Sequence, residues 1–363
     1  MKILVFSDIH IHPHKKSSSR LDDCLEALEW AFRTAEERGI SNLVFLGDLF
    51  HDRQKIDVLA YQRTFEIMER HLSKGDLRLH LLLGNHDLWH YERLDVSSVN
   101  PLRTLPGVTV VSEPSVQRIS DGRDSFHMGF LPYTHSPAED IKKIEERWDA
   151  EVPKHEPKIL GGHIAVDGAV WNSRYKTISE VTVEHEGDMV RVGPEIFRRW
   201  DRVFLGHYHA AQRMDDRVEY VGSPLQLSFG EADQEKHLLV YDTEDDTSEY
   251  IANDFSPTHL IISEDQVESS SLAGNFVRLE VDNIADKRMS ELRQKLVESC
   301  GVATLEIKQS SRDESHVVDD AKAILQNEDQ MIERYVDQVA PEGLERDALV
   351  RIGKGICSKV CDS

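Results

Sequence analysis

Residues 81–90 read LLLGNHDLWH, and the order of residue types in that stretch decides the fold. Leu81, Leu82 and Leu83 close a short apolar run over 78–83, of the kind that forms a buried strand. The run breaks at Gly84 and hands over to Asn85, His86 and Asp87. Open α/β sheets place their sites where strands end in this way, at the carboxyl edge. Asn85, His86 and the later His90 could each bind a metal, take a proton or fill space. Two upstream runs repeat the design: KILVFS (2–7) leads into Asp8-Ile9-His10, and NLVFL (42–46) leads into Gly47-Asp48. Between them Leu21, Cys24, Leu25, Leu28, Phe32 and Ala35 recur at helical spacing, and Arg38-Gly39 closes the helix. A second helix is expected over about 56–72. This βαβαβ order predicts an α/β fold with a mainly parallel sheet and helices on its faces.

After Asn100-Pro101 shorter strands are expected near 108–112, 126–131, 158–161, 202–206, 217–221 and 237–241, separated by turns containing Pro and Gly. Regular strands give way to polar loop near Asn253–Pro257. Beyond it FVRLEV (276–281), a helical 286–299 and VATLEIKQ (302–309) read as a compact βαβ unit. SRDESHVVDD (311–320) reads as a linker, and 318–363 as helical with an interruption at Pro341-Glu342-Gly343. Three domains are expected: 1–255, 256–312 and 313–363.

The 363 residues are 39% hydrophobic and 30% charged, enough for a core and a solvated surface. No stretch approaches the roughly 20 apolar residues of a membrane span, and Met1–Phe6 is too short for a secretory signal. Cys24, Cys300, Cys357 and Cys361 lack CxxC spacing; the last two, four apart, read as thiols on one helix face. A reducing, cytoplasmic setting is expected. The net charge of −23 is unusual for a partner of nucleic acid, but its distribution softens the objection. Residues 1–230 contribute −7 and residues 231–363 contribute −16, with an acidic run, DTEDDTSE, at 242–249. HPHKKSSSR (12–20) is a local cationic loop.

Five strand ends share one chemistry. Asp8 and His10 are followed by Gly47-Asp48, then Gly84-Asn85-His86-Asp87, then Gly161-Gly162-His163, and finally Gly206-His207-Tyr208-His209. In an extended chain the i, i+2 residues Asp8 and His10 would point the same way. Each motif alone has a bland reading as a turn or helix cap; five in succession are hard to explain so. Asp8, His10, Asp48, Asn85, His163, His207 and His209 offer seven ligands of mixed oxygen and nitrogen type, which suit two divalent ions better than one. The donor set has no thiolate and fits manganese, iron, zinc or magnesium. Two ions about 3.5–4 Å apart clamp the attacking and leaving oxygens of a phosphoryl transfer.

The ordered motifs D-x-H, G-D, G-N-H-D, G-H and G-H-x-H resemble the calcineurin-like metallophosphoesterase superfamily over roughly residues 1–230. GDLFH (47–51) and YVGSP (220–224) are similar to the SbcD-type double-strand-break-repair nucleases, and the layout resembles their phage recombination-endonuclease branch. The resemblance implies a four-layer α/β/β/α sandwich, a small α+β capping domain and a C-terminal helical extension. It implies that Asp8, His10, Asp48 and His209 hold one ion while Asp48, Asn85, His163 and His207 hold the other, with Mn2+ the expected metal. His86 would act on the leaving 3′-oxygen and His51 would contact the phosphate. Asp87 reads as a structural cap. The capping region about 265–310 would touch DNA, and 318–363 would dock on an SbcC-type coiled-coil ATPase. Helices near 56–72 and 94–104 would form a homodimer, cytoplasmic or, if phage-encoded, acting in the host cytoplasm. Lys15, Lys16, Arg20 and Arg53 are candidate phosphate contacts. His12, His14 and His90 are expected to be bystanders, and His127, His135, His185, His237 and His259 ordinary core or surface residues. The alternative function is a phosphoesterase for a small phosphodiester, nucleotide or phosphoprotein.

Overall fold

A computed structural model describes residues 1–13, 18–170, 191–268, 271–282 and 284–310. Lys15, Lys16, His14, His185, Cys357, Cys361 and the expected helical extension over 313–363 lie outside them. The chain divides into two compact units. The first comprises Met1–Ile261, Ser271–Arg278 and Cys300–Leu305; the second comprises Ile262–Ser270, Leu279–Ser299 and Glu306–Ser363.

The first unit is built on two six-stranded sheets. Its strands are β1 (Lys2–Phe6), β2 (Asn42–Phe45), β3 (Arg78–Leu82), β4 (Val108–Val111), β5 (Ser115–Ser120), β6 (Ser125–Leu131), β7 (Ile159–His163), β8 (Ala165–Val166), β9 (Arg191–Val192), β10 (Arg202–Gly206), β11 (Gln212–Arg213), β12 (Val218–Tyr220), β13 (His237–Asp242) and β14 (Thr247–Ala252). One sheet runs β14-β13-β1-β2-β3-β4 and the other β11-β12-β10-β7-β6-β5, with β8 and β9 a separate ribbon. β1 pairs parallel with β2, β2 with β3, and β7 with β10, as the βαβ pattern requires. Their carboxyl ends therefore lie along one edge of each sheet.

Strand alternation explains the layers. Ile3, Val5, Val44 and Leu82 from one sheet meet Met128, Phe130, Ile159 and Phe204 from the other in one buried cluster between the sheets. The alternate residues Leu4, Phe6, Leu43, Phe45, Leu79 and Leu81 face outward onto helices α1 (Ser18–Arg38) and α2 (Val58–Leu72). On the second sheet Leu160, Val203 and Leu205 face α3 (Pro137–Glu151) through Ile141, Ile144 and Trp148. Side chains of successive strand residues point to opposite faces, so continuous apolar runs are what a sheet covered on both sides needs. The four-layer α/β/β/α sandwich follows.

α2 begins at Asp57, whose carboxylate accepts from the N–H groups of Leu59 and Ala60. The helix expected near 94–104 is instead a 3-10 turn confined to Asn100–Thr104, with Pro101 in its first positions. Upstream of it, Leu88 and Ser97 form a bridge. The acidic run 242–249 is a β-hairpin: β13 pairs antiparallel with β14, and Asp246 sits at φ 52° in the turn. β13 also pairs antiparallel with β1, so the first sheet closes on a strand more than 230 residues away in the chain.

The segment read as βαβ shows that strand–helix–strand order. β16 (Phe276–Asp282) is followed by α4 (Asp286–Gln294), a π-helical turn at Lys295–Ser299 and β17 (Thr304–Ser310). With β15 (His259–Ser263) the two strands form a sheet in the order β15-β16-β17. Among the described residues, no helix is long and apolar enough to cross a membrane.

Candidate metal centre

All seven proposed ligands follow the ends of parallel strands: Asp8 and His10 after β1, Asp48 after β2, Asn85 after β3, His163 at the end of β7, His207 and His209 after β10. All but His209 are buried. The backbone there is strained. Six non-glycine residues among those described have positive φ, and four are Asp8 (54°), His10 (50°), Asp48 (61°) and His207 (93°). Side chains disfavour that region, and it is retained where surrounding structure over-determines it. The extended-chain argument for Asp8 and His10 is therefore corrected. Both are left-handed, and their side chains converge because the loop coils, with His10 Nε2 3.9 Å from Asp8 Oδ1.

Three features hold the loops in place. Asp8 N–H donates to the Gly47 carbonyl (3.0 Å) and His10 N–H to the Asp48 carbonyl (3.1 Å), extending the β1–β2 pairing beyond both strands. Asp87, fully buried, accepts from the N–H groups of Gly84 and Asp48 (both 2.9 Å), Leu49 (3.0 Å) and Phe50 (3.4 Å). It is structural, as expected, but braces two loops rather than capping the turn that follows it. Burial and the Asp48 charge beside it push its carboxyl up to about 7, against the pull of those N–H donors. Third, the loops touch where only glycine fits: a Cβ on Gly84 would lie 2.2 Å from Asp48 Oδ1.

The ligands gather in two groups, Asp8 with His10 and His209, and Asp48 with His163 and His207. Asp48 Oδ2 lies between them, 3.6 Å from His10 Nε2 and 3.3 Å from His163 Nε2. Asn85 Oδ1 is 3.0 Å from both His163 Nε2 and His207 Nδ1. The donor chemistry fits cations. His163 Nδ1–H donates to the Leu46 carbonyl at 2.6 Å, which leaves a lone pair on Nε2 in the neutral ring, facing two oxygens that can only accept. His209 Nδ1–H donates to Glu231 (2.9 Å), so its Nε2 lone pair faces His10 Nε2 at 3.1 Å. Lone pairs converging in a buried space need positive charge among them.

The titration shifts have the same origin. Burial raises the Asp48 carboxyl, but the His163 and His86 imidazoles more than offset it and hold the group well below the usual carboxylate range. Burial opposes a charge on His163, yet Asp48 raises it to about 9. Burial and neighbouring imidazoles keep His10 and His207 well below the usual histidine range, neutral as ligands must be. Burial raises Asp8.

His86 and His51 sit beside these groups. His86 N–H donates to Asp48 Oδ1 (2.8 Å), and His86 Nδ1–H donates to the His51 carbonyl (2.7 Å). The ring stands edge-on to His10 at 4.7 Å and stacks with His51 at 5.6 Å. His51 Nδ1 is 3.4 Å from His10 Nδ1. His10, His51 and His86 thus form a third cluster of converging nitrogens.

Other expectations fare differently. Arg20 is buried, not presented to a ligand: its guanidinium bonds the Gln226 carbonyl, lies 3.5 Å from Asp23 and stacks over Phe276 at 5.1 Å. Placed on the third residue of α1, facing the core, it ties the helix to the chain near 226 and is corrected to a structural residue. Arg53 is half-buried just beyond His51. His90 accepts from Glu92 N–H at 3.3 Å, and His12 pairs with Asp52 at 3.0 Å. Sequence reasoning missed Glu231 and Lys236, which meet at 2.6 Å behind His209 with both side chains buried. Nothing in FGEADQEKH (229–237) has the spacing of a ligand pair; the only motif nearby is the GSP at 222–224.

The family model described as "calcineurin-like phosphoesterase" matches residues 1–211, a span that contains every proposed ligand. The chain belongs to the calcineurin-like phosphoesterases. Along 97% of its length, and 97% of the relative's, this phosphoesterase is 24% identical to "Exonuclease subunit 1" of Enterobacteria phage T4. It is 25% identical over 268 residues to a protein of Bacillus subtilis (strain 168) named as a subunit of the nuclease SbcCD, covering 67% of this chain and 66% of that one. A dimetal phosphatase from Danio rerio has a TM-score of 0.42 and 10% identity, over 66% of this chain and 91% of its own. As a member of the family the chain is a metal-dependent hydrolase of phosphate esters, whose chemistry uses a pair of metal ions.

Proposed function

We propose that this phosphoesterase is the nuclease subunit of a DNA-processing complex, a 3′–5′ double-strand exonuclease and single-strand endonuclease working with an SbcC-type coiled-coil ATPase. The observation that supports it most is the end-to-end match to a relative named as an exonuclease subunit, which includes the segments beyond the phosphoesterase region. Asp8, His10, Asp48 and His209 would hold one ion, and Asp48, Asn85, His163 and His207 the other, with Asp48 shared. Two divalent cations, manganese foremost, supply an acidified water and the charge that neutralises the phosphoryl oxygens. The phosphate charge is thereby met inside the site, which is how a chain of net charge −23 can act on a polyanion.

The chain's own groups do the rest. With Nδ1–H donated to the His51 carbonyl, His86 would deliver a proton from Nε2 to the leaving 3′-oxygen. With His10 Nδ1–H donated to His51 Nδ1, His51 would contact a phosphate oxygen through Nε2–H. Arg53, with Lys15 and Lys16, would contact the flanking phosphates. The 265–310 region would cover DNA and 313–363 would dock on the ATPase. Val58 and Leu59, 79% and 52% exposed at the start of α2, offer an apolar face for the homodimer.

The test is cleavage of linear duplex DNA by the purified protein in Mn2+, with and without its ATPase, beside bis-p-nitrophenyl phosphate as a small diester. DNA should be degraded from 3′ ends. His86→Ala should lose that activity while retaining metal. Turnover of the small diester with DNA left intact, even beside the ATPase, would overturn the reading in favour of a small-substrate phosphoesterase.

A further inference from the structure

We propose that Glu231, Lys236 and Ser223 form a buried clamp that sets His209 as a metal ligand, with Glu231 the positioning residue. The inference rests on the two-ion reading above and adds the groups that aim one ligand. His209 follows β10 by three residues, is not fully buried, and would by itself be free to rotate about both side-chain torsions. Glu231 Oε1 accepts His209 Nδ1–H at 2.9 Å. A carboxylate can only accept, so the proton is fixed on Nδ1 and the lone pair on Nε2, the atom 3.1 Å from His10 Nε2. The other Glu231 oxygen accepts from Leu227 N–H at 3.1 Å and from Lys236 Nζ at 2.6 Å.

Lys236 completes the clamp from behind. An ammonium group has three donors, and all three are used: on Glu231, on the His209 carbonyl (2.9 Å) and on Ser223 Oγ (2.8 Å). The same carbonyl accepts Ser223 N–H at 3.1 Å. One lysine therefore ties the backbone of His209 to the carboxylate that orients its ring. A buried ion pair is weak evidence for stability, so the geometric argument rests on the hydrogen bonds to the ring and carbonyl of His209. Its position behind a single ligand says which geometry it serves.

Removing one partner would strand a buried charge, so the test removes both. In the full chain, Glu231→Leu with Lys236→Met leaves His209 unaimed; Glu231→Gln with Lys236→Met restores a neutral acceptor for Nδ1–H. Mn2+ binding is measured by calorimetry and by the electron paramagnetic resonance of the bound ions, with circular dichroism to establish the fold. The wild type should bind two ions. The Leu/Met variant should keep one at wild-type affinity and weaken the other by about 10–100-fold, and the Gln/Met variant should recover most of that loss. Unchanged affinity at both ions in the folded Leu/Met variant, or equal losses in the two double variants, overturns the clamp. A wild type that binds no pair of ions overturns the two-ion reading first and the clamp with it.

Discussion

Replacing Asp87 tests whether the loops that carry Asp48 and Asn85 are held by one carboxylate. Three backbone donors contact it at 2.9–3.0 Å, on Gly84, Asp48 and Leu49, and a fourth, on Phe50, at 3.4 Å. Each buried donor left without a partner costs roughly 1–3 kcal/mol. Asp87→Ala orphans the three close donors, so even the low end of that range removes about 3 kcal/mol. Asp87→Asn is the sharper probe. Its single oxygen can face Gly84 and Asp48, but its amide group then points N–H at the N–H of Leu49. One close donor is orphaned and the loss is about 1–3 kcal/mol. Asparagine should therefore sit between wild type and alanine, although it fills the same volume as aspartate. Urea unfolding followed by tryptophan fluorescence reads the stability, and a Mn2+ titration of each folded variant reads the loops, whose ligands Asp48 and Asn85 would drift apart. If asparagine is as stable as wild type, or if alanine melts earlier yet binds Mn2+ undiminished, the brace is wrong.

Gly84→Ala should abolish tight metal binding, because its Cβ would fall 2.2 Å from Asp48 Oδ1 and 2.4 Å from Asp48 N; a variant with wild-type Mn2+ affinity would show that the loops can part without harm. Arg20→Met should lower the melting temperature while leaving KM for any phosphodiester unchanged, since the guanidinium is spent on Gln226, Asp23 and Phe276; a raised KM at unchanged stability would restore the phosphate-contact reading. Acid should destabilise the fold through buried neutral histidines. Burial lowers His80 to about 4 and His259 to about 3, against about 6.5 when unfolded. Below pH 6.5 the unfolded chain therefore takes up protons that the folded chain refuses. Stability is full above that pH and falls by about 1.4 kcal/mol per unit per histidine towards pH 4. His80→Leu, measured by urea unfolding at each pH, should flatten the slope by that amount; an unchanged slope would show that His80 is protonated in place.

Why some of this was legible in the sequence and some not comes down to how far each contact reaches along the chain. The strand ends were legible because a parallel strand covered on both faces must be apolar throughout, so Asp8, Asp48 and Asn85 stand out against Phe6, Phe45 and Leu82. Residue type at the strand ends marked the candidates, and the family resemblance supplied their assignment as ligands. Ligand geometry was a different matter. The i, i+2 argument for Asp8 and His10 assumed extended backbone, whereas both adopt positive φ, a state set by Gly47 and Asp48 of the next loop accepting their N–H groups. Arg20 looked cationic and available because its context was the neighbouring HPHKK; its actual partner is a carbonyl 206 residues away. The hairpin at 237–252 was hidden by its acidic turn, because TSEYIA (247–252) lacks the apolar run that marks its partner HLLVYD (237–242).

Glu231 shows the limit most clearly. Acidic residues near the chain's C-terminal third are numerous, and by composition Glu231 is one of the charges that make the protein an improbable partner for DNA. Its carboxylate is instead buried, neutralised by Lys236 and directed at His209. Burial raises such a group, but Lys236 and His209 overcome that and hold it far below the usual range. It thus contributes no field at the surface. Asp8, Asp48 and Asp87 are buried in the centre as well, where bound cations would offset their charge. Net charge counts these residues as repelling a polyanion, whereas on the proposed reading Asp8 and Asp48 would gather cations for one. For a metal-dependent phosphoesterase, then, formal charge argues against a nucleic-acid substrate only after the carboxylates buried in the metal centre have been set aside.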